Sequence, residues 1–428
     1  MKVLWLVNII MPELAEHLKI NSSVFGGWLI GAERAVKETN NSLVICSTSD
    51  SEELYGRYRV NDTIYYIVKK SSIDDMSASF EKILNDENPD VIHIYGTEFA
   101  QCLAMARVSP VSKTLVTIQG ALCICKDLAY AGIPDKICDD NVCHKLLRKL
   151  HKGGESIQLQ KNSFEERAIY EEETLKTVKY INGGSEWGNS VARSVNPGCI
   201  TMDCNLILRD SFYNSRLWNY EECEKHTIYA LYSYPIKGFH KLIEAAAIVR
   251  NFYPDVKIKA IANRQYYRKY NKIKTRILDK APDYQWYIQG LIEKYELKNN
   301  IEFLGRLSEE QVKQELYNAN VFVSASSIEN QSTALGEAMI LGVPGIASFV
   351  GAIPEMIDNG TDGFTYPFNE SHLLADCICR LFENPGLAKQ FSVKGHEHAA
   401  KTYDREKNKN DLINMYNTIY NNSKSEVK

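Results

Sequence analysis

One stretch, residues 320–367, restricts the possible folds of this chain more than any other. It begins with an apolar run at residues 321–323, whose β-branched and aromatic side chains predict a buried parallel strand. A polar loop follows, and then an apolar face typical of a helix, whose first turn Ser332 or Thr333 can cap. A glycine ends that helix, and residues 344–348 predict a second strand. The order strand, loop, helix, strand indicates a doubly wound α/β sheet.

Two carboxylates lie within this stretch, Glu329 in the loop and Glu337 on the helix. Two acceptors at different depths of one crevice suit ligands that carry many hydroxyls, such as sugars and ribose. Free amides at the helix start, residues 332–334, would favour a negative group such as a phosphate. The alternative is that Glu329 is a solvated loop residue and Glu337 a surface helix residue. The spacing alone leaves both interpretations open.

The residues around these two carboxylates resemble the donor-binding signature of glycosyltransferase family 4. The matching residues are Glu329-x7-Glu337-Ala338-Met339-x2-Gly342-x-Pro344, Gly351-x2-Pro354-Glu355 and Asn359-Gly360-x2-Gly363-Phe364. The resemblance is highly specific here and extends more weakly over most of the chain. It implies an α/β protein with the GT-B fold, in which two Rossmann-like doubly wound domains face each other across a cleft. It also implies retention of anomeric configuration without a metal.

The same resemblance implies roles for individual residues. It places Glu329, a catalytic and donor-binding candidate, on the sugar hydroxyls, and Glu337, a donor-binding candidate, on the ribose of a nucleotide sugar. The donor-binding segment between them consists of Asn330, Gln331, Ser332 and Thr333. We therefore expect the nucleotide sugar to be a substrate and no separate cofactor to be needed.

Size and composition agree with an ordinary globular protein. The 428 residues suffice for two or three domains, and 44% are hydrophobic and 24% charged. A net charge of −4 argues against a nucleic-acid partner. The apolar start of the chain is interrupted by Asn8 and followed by Pro12, so we interpret it as a first strand and not a signal peptide.

The cysteines favour a reduced environment. There are 11 of them, an odd number, and the close spacings do not match those of zinc sites. The close spacings are Cys123-x-Cys125, Cys138-x4-Cys143 and Cys377-x-Cys379. We therefore expect no structural metal and a cytoplasmic location.

The N-terminal half alternates strand-like and helix-like segments, as in a parallel sheet. Strands are predicted at residues 3–10, 43–47, 64–68, 91–95, 115–118 and 179–181. Gly26 and Gly27 follow the first strand, where such folds bring the backbone close to a phosphate. In the family this loop approaches the donor diphosphate and the acceptor, although a glycine pair also simply makes turns.

Two further residues follow predicted strands, at the edge where open α/β sheets bind ligands. They are Glu98 and Gln119, our acceptor-side candidates, and Gln119 is also a donor-binding candidate. Many family members have a histidine at the position of Gln119, and glutamine can bond a hydroxyl but cannot carry a proton. His93 lies within a strand and is as well explained as a core histidine as a ligand.

The second half opens with a strand at residues 226–231 and a loop that contains Lys237 before a glycine. In the family this loop carries an Arg and a Lys that clamp the diphosphate, so Lys237 is both a donor-binding and a catalytic candidate. Tyr232 stands at the usual Arg position. Gly305 and Arg306 end a later strand, where relatives receive the nucleobase, and Arg306 is a candidate replacement for the missing cation.

The domain prediction follows from these segments. An acceptor-binding domain spans residues 1–205, a linker 206–225 and a nucleotide-sugar-binding domain 226–405, and a last helix at 406–428 returns to the first domain. The sequence around residues 182–187 and 209–213 resembles a polysaccharide-building subgroup of family 4, without assigned contacts. Aromatic and basic residues interleave at 266–295, which we interpret as a surface insertion and not as a nucleic-acid site.

Residues 143–152 form a basic amphipathic pattern. Apolar residues recur at helical spacing, and four cations occupy the remaining surface. This pattern predicts either peripheral contact with the inner face of a membrane or an ordinary packed helix with a solvated basic face.

Together these features predict a retaining hexosyl- or N-acetylhexosaminyltransferase. It would move a sugar from a nucleotide diphosphate sugar, UDP-linked in our prediction, to a glycan or lipid-linked acceptor in cell-surface polysaccharide synthesis. Two alternatives stay open: a non-catalytic GT-B partner subunit that supports another transferase, and a GT-B nucleotide-sugar epimerase.

Overall fold

The computed structural model describes residues 1–21, 26–150, 155–232, 234–261 and 281–425. The chain divides into two compact units, each made of separate segments. The first unit comprises Met1–Ile124, Glu165–Asp210 and Thr402–Lys428, and the second comprises Cys125–Phe164 and Ser211–Lys401. Each unit contains a mainly parallel sheet with helices, so the predicted α/β class with two Rossmann-like units is confirmed.

The strands are β1 Lys2–Leu6, β2 Ser42–Ser49, β3 Gly56–Val60, β4 Thr63–Lys69, β5 Val91–Tyr95, β6 Thr114–Thr117, β7 Tyr180–Asn182, β8 Ile200–Met202, β9 Thr227–Leu231, β10 Lys257–Ile261, β11 Ile301–Phe303, β12 Val321–Ser324, β13 Gly345–Ser348 and β14 Gly363–Tyr366. The helices are α1 Pro12–His17, α2 Gly27–Lys37, α3 Ile73–Glu87, α4 Ala100–Val108, α5 Leu122–Cys125, α6 Asp135–Cys138, α7 Val142–Lys149, α8 Ile157–Thr177, α9 Glu186–Val195, α10 Asp210–Tyr213, α11 Phe239–Val249, α12 Tyr284–Lys294, α13 Glu309–Asn318, α14 Thr333–Ile340, α15 Ser371–Glu383, α16 Pro385–Thr402 and α17 Arg405–Ser425.

The first sheet has eight strands in the order β3-β4-β2-β1-β5-β6-β7-β8. All neighbours are parallel except β3 and β4, which pair antiparallel at one edge. The central strands are apolar on both faces because helices cover each side of the sheet. The strand order reverses direction between β1 and β5, which makes that pair the topological switch point of the sheet.

The second sheet has six strands, all parallel, in the order β11-β10-β9-β12-β13-β14. This is the strand order of a doubly wound nucleotide-binding fold, with its switch point between β9 and β12. Open α/β sheets bind ligands in the crevice outside the carboxyl ends of the strands at such points. Each unit therefore has one preferred place for a site.

The sequence pattern does not predict four of the strands: β3, β8, β10 and β14. Strand β10 reads KIKAI, and its lysines weaken the apolar signal. Lys259 is nevertheless buried, because Glu224 and Glu315 each approach its ammonium at 3.1 Å. Strand β14 begins with Gly363, where a Cβ atom would lie 2.8 Å from the carbonyl oxygen of Gly345. The close approach of the two backbones requires a glycine at this position. Glycine is unusual in strands, so the sequence pattern does not indicate a strand here.

Residues 125–164 belong to the second unit, whereas the sequence predicts a first domain that spans 1–205. A buried histidine, His240 of α11, holds this segment through the carbonyl oxygen of Ala131, 3.1 Å from its Nε2. Residues 206–225, the predicted linker, divide between the units at Asp210 and Ser211. Within that segment Trp218 is buried, and its indole N–H donates to a backbone carbonyl at 2.8 Å. The predicted insertion at 266–295 lies partly outside the described residues, and α12 forms its later part.

The last helix, α17, completes the core of the first unit. Its residue Tyr416 is buried and accepts a hydrogen bond from the indole N–H of Trp5 at 3.0 Å. The Tyr416 hydroxyl also lies 2.8 Å from Nδ1 of His93, whose Nε2 lies 2.7 Å from the hydroxyl of Thr117. Burial lowers the pKa of His93 to about 3, so the ring is neutral and can accept from the tyrosine. His93 is therefore a core histidine.

We expect Tyr416→Phe to destabilise the protein, because it leaves two buried polar groups, Trp5 Nε1 and His93 Nδ1, without a partner. The cost should be about 1–3 kcal/mol in the free energy of unfolding, measured by urea denaturation. The matched control is Tyr420→Phe on the same helix, where the ring is only partly buried. Equal stability of the two variants would show that the hydroxyl of Tyr416 contributes nothing.

Candidate active site

The loops that follow β9 and β12 meet at the switch point of the second sheet. The N–H of Ser327 donates to the carbonyl oxygen of Ile236 at 2.8 Å. Gly238 has a φ of +62°, and a Cβ atom there would lie 1.7 Å from the carbonyl oxygen of Ala325. Only glycine allows this approach, which brings the residue before it, Lys237, against the second loop.

Lys237 and Glu329 form an ion pair with 2.5 Å between Nζ and Oε1. The hydroxyl of Ser326 donates to the same oxygen at 2.6 Å. The Glu329 side chain is only 10% exposed, so the alternative of a solvated loop residue is wrong. Because a lysine ammonium has three donors, Lys237 can hold Glu329 and still donate to a ligand.

The backbone of Glu329 is also fixed. Its carbonyl oxygen accepts from the N–H of Ala352 at 3.0 Å. Gly351 has a φ of +53°, and a Cβ atom there would lie 1.9 Å from that carbonyl oxygen. This explains why the loop after β13 carries glycine at this point, and it links three loops of the second unit around Glu329.

Glu337 lies on α14 and is 6% exposed, so the alternative of a surface helix residue is wrong. Asn330 and Ser332 are buried as well, while Gln331 and Thr333 are partly buried. Ser332 stands at the N-cap position, but its side chain makes no capping hydrogen bond, which corrects the predicted capping role.

Tyr232 is buried among aromatic rings. Its ring stacks on Phe239 with 4.7 Å between centroids, and Phe303 and Tyr284 follow at 5.7 Å. The position where family resemblance implies an arginine is therefore part of the core.

Gly305 and Arg306 follow β11, the edge strand of the same sheet. Gly305 has a φ of +80°, and the Arg306 side chain is exposed. Strand β10 separates β11 from β9, so these two strands lie about 10 Å apart. Arg306 therefore follows the edge strand, whereas Lys237 follows a central strand of the same sheet.

The acceptor-side candidates meet at the switch point of the first sheet. Gly96 follows β5 with a φ of +94°. A Cβ atom there would lie 2.6 Å from Asn8 Nδ2, 3.2 Å from Gln119 Oε1 and 3.3 Å from Glu98 Oε2. Asn8 follows β1, and in the sequence it is visible only as an interruption of the apolar run. Its position after the first strand is the signal that could have identified it.

Glu98 is buried, although it lies in a loop. Its carboxylate accepts from its neighbour, the N–H of Thr97, at 3.0 Å and pairs with Arg167 of α8 at 3.3 Å. The sequence did not identify Arg167, because it lies about 70 residues from Glu98 in a polar helix.

Helix α2 begins at Gly27, and Gly26, its N-cap residue, has a φ of +81°. A Cβ atom at Gly27 would lie 2.7 Å from Cδ of Arg209, so the arginine stem lies across this glycine. Arg209 has no predicted contact, because no local pattern in the sequence connects it with Gly27.

Among the residues that the structure describes, one group has metal-ligand chemistry. Asp358, Asp362 and His398 of the second unit each place a ligand atom within 4.8 Å of the others. Asp362 already accepts from the N–H of Asp358 at 2.8 Å and pairs with Nδ1 of His398 at 2.7 Å. Hydrogen bonding to Asp362 raises the pKa of His398. These contacts describe an ion pair between Asp362 and His398.

The basic helix is α7, which begins at Val142 and ends at Lys149. Leu146 and Leu150 are 55% and 52% exposed, whereas His144 is buried. Arg148, one of the four cations of this pattern, forms two hydrogen bonds with Asp140, which precedes the helix, at 2.7 and 2.8 Å. Lys152 lies outside the described residues. Within the described ranges, none of the helices combines the length and apolar composition needed to cross a membrane.

Known proteins resemble this chain in sequence and in fold. Residues 224–398 match the model of the family described as "Glycosyl transferases group 1". N-acetyl-alpha-D-glucosaminyl L-malate synthase of Bacillus anthracis is 22% identical over 358 residues, 81% of this chain and 78% of that protein. The putative colanic acid biosynthesis glycosyltransferase WcaL of Salmonella typhimurium is 26% identical over 190 residues, 43% of this chain and 42% of that protein.

Among solved structures, Anabaena Alr3699/HepE in complex with UDP and glucose is similar over 98% of this chain and 100% of that chain. The TM-score is 0.65 at 14% sequence identity, a likeness that concerns the fold. The two Rossmann-like units with parallel sheets are those of the GT-B fold. Together, the family model, the relatives and the fold support a GT-B glycosyltransferase.

Proposed function

We propose that this chain is a retaining glycosyltransferase of family 4. It transfers a hexosyl or N-acetylhexosaminyl group from a UDP-sugar to a hydroxyl of a glycan or lipid-linked acceptor in cell-surface polysaccharide synthesis. The observation that carries the proposal is the Lys237–Glu329 pair at the switch point of the second sheet. The name of the Bacillus relative supports an N-acetylhexosaminyl group, and the name of the Salmonella relative supports polysaccharide synthesis. The UDP bound by the Anabaena protein supports a UDP-sugar as the donor.

Each residue of the pair has a distinct role in this proposal. Glu329 accepts hydrogen bonds from the sugar hydroxyls, while Lys237 fixes Glu329 and donates to the donor diphosphate. Glu337, buried on the following helix, accepts from the ribose. These three groups come from one strand–loop–helix unit and its neighbouring loop, so a rigid scaffold sets their spacing.

The reaction proceeds by front-face substitution. The bond between the anomeric carbon and the phosphate oxygen breaks, and the acceptor oxygen bonds to that carbon on the same face. The acceptor proton passes to the departing phosphate oxygen, and Lys237 stabilises the charge that develops there. Exclusion of water is needed, because water otherwise competes as the acceptor.

A second candidate function is a non-catalytic subunit that binds a nucleotide sugar and supports another transferase. The observation in its favour is Tyr232, a buried ring at the position where the resemblance implies a diphosphate-binding arginine. The two candidates differ in turnover, not in donor binding.

The deciding experiment incubates purified protein with a panel of UDP- and GDP-sugars, with and without glycan acceptors, and measures release of the nucleoside diphosphate. We expect one UDP-sugar to give acceptor-dependent release that persists in EDTA. Anomeric analysis of the product by NMR should show the configuration of the donor. Donor binding by calorimetry without any release would favour the non-catalytic subunit, and an inverted product would exclude retention.

We expect Lys237→Ala to lower kcat by about 100-fold, because it removes a charge at the point where leaving-group charge develops. The matched control is Lys389→Ala, which breaks an exposed ion pair with Glu221 in the same unit. Thermal unfolding of both variants separates catalysis from stability. Activity of Lys237→Ala within a few-fold of wild type would show that another group holds the diphosphate.

We also propose that α7 contacts an anionic membrane surface. Val142, Leu146 and Leu150 recur every four residues and are all exposed, so they form one apolar stripe. Lys145 and Lys149 are exposed and suit anionic headgroups. A lipid-linked acceptor would make this contact useful.

A Lys145→Glu/Lys149→Glu variant should bind anionic vesicles at least 30-fold more weakly, because each lysine contributes about 1 kcal/mol at such a surface. Co-sedimentation with vesicles of phosphatidylglycerol and phosphatidylcholine at low salt measures this. The control is Lys389→Glu/Lys394→Glu, which makes the same charge change at two other exposed lysines. If wild type fails to bind at low salt, α7 is an ordinary packed helix.

A further inference from the structure

Besides Glu98, the first unit contains another buried carboxylate, Glu171 of α8. It lies beside the loop that carries the acceptor-side candidate Glu98. Its Oε1 accepts from the hydroxyl of Thr97 at 2.7 Å, and its Oε2 accepts from the N–H of Cys123 at 2.7 Å. Burying a carboxylate is costly even when both oxygens are bonded. A group placed at this cost beside a ligand-binding edge calls for a functional explanation.

Glu171 and Glu98 are connected through one residue. The hydroxyl of Thr97 donates to Glu171, and the backbone N–H of Thr97 donates to Glu98 at 3.0 Å. Burial first, and then the nearby charge of Glu98, raise the pKa of Glu171. The two carboxylates are therefore coupled, so a substitution of Glu171 should change the position of Glu98.

Helix α8 holds Glu98 at two points one turn apart. Arg167 pairs directly with Glu98 Oε1 at 3.3 Å, and its guanidinium lies over the ring of Phe99, 4.3 Å from the centroid. Glu171, four residues later on the same face, holds the preceding residue, Thr97. The helix thus fixes both the carboxylate and its backbone.

The other oxygen of Glu98 lies next to Gly96. The side-chain amides of Asn8 and Gln119 lie next to the same glycine. One carboxylate and two amides supply acceptors and donors together, which suits a ligand with several hydroxyls. This group of three side chains lies at the carboxyl edge of β1 and β5, the switch point of the first sheet.

We propose that Glu171 is a positioning residue for acceptor recognition, which acts through Thr97 to fix Glu98 against an acceptor hydroxyl. The inference rests on the proposed glycosyltransferase function and adds a residue to it. It predicts that the damage from losing Glu171 falls on the acceptor and not on the donor, because the three residues that bind the donor in the proposed mechanism, Lys237, Glu329 and Glu337, belong to the second unit.

The test is steady-state kinetics of Glu171→Ala with an acceptor on which the wild type is active. The acceptor KM should rise about tenfold, while the donor KM and the acceptor-free hydrolysis of the donor stay within twofold of wild type. Glu171→Gln should restore most of the acceptor KM, since its amide oxygen can accept from Cys123 and its NH2 can donate to Thr97.

Two further variants keep the test sharp. Thr97→Val removes the hydroxyl link but keeps the N–H that holds Glu98, and should raise the acceptor KM several-fold even if Glu171→Ala fails to fold. Glu173→Ala removes an exposed carboxylate of the same helix, paired with Arg107, and should change nothing.

The outcomes separate the two proposals. A wild type that transfers no sugar to any acceptor contradicts the proposed function itself. An active wild type with an unchanged acceptor KM in folded Glu171→Ala or Thr97→Val contradicts the positioning role alone. Equal losses in donor KM and acceptor KM would mean that Glu171 is structural.

Discussion

The candidate site depends on one close backbone contact, that of Gly238 with the carbonyl group of Ala325. A side chain at Gly238 would push the loops after β9 and β12 apart. Because the two loops lie close together, Lys237 can pair with Glu329 and still use another N–H to donate to a ligand. A second glycine, Gly351, makes the same kind of contact with Glu329 from the next loop. The chemistry of the second unit is therefore set by the absence of side chains at two positions.

Both sheets place a nearly buried carboxylate at the switch point and compensate it with one basic residue. In the second unit Glu329 pairs with Lys237 from a neighbouring loop, and in the first unit Glu98 pairs with Arg167 from a helix. The difference in scaffold matters. A loop lysine has rotatable donors and can adjust to a ligand, whereas an arginine on a helix, stacked on a ring, holds its partner in a fixed geometry.

The sequence was sufficient for the fold class and for the strand–loop–helix unit at residues 320–367, because apolar runs and glycine punctuation are local signals. It also identified Glu329 and Glu337, although only the structure shows that both are shielded from solvent. It missed Arg167, Glu171 and Arg209, since these residues reach their partners from distant segments. Strand β10 was missed because ion pairs, which a hydropathy pattern does not record, compensate its buried lysine.

The interleaving of the two units affects how the chain can fold during synthesis. Segments of the first unit leave the ribosome first, yet its core includes Trp5 and Tyr416, from opposite ends of the chain. The buried indole of Trp5 cannot meet its hydroxyl partner until the last helix has been made. Domains usually fold in order from the N-terminus. Here the unit that is started first is the one that is completed last, and its unfinished apolar surface needs protection in the meantime.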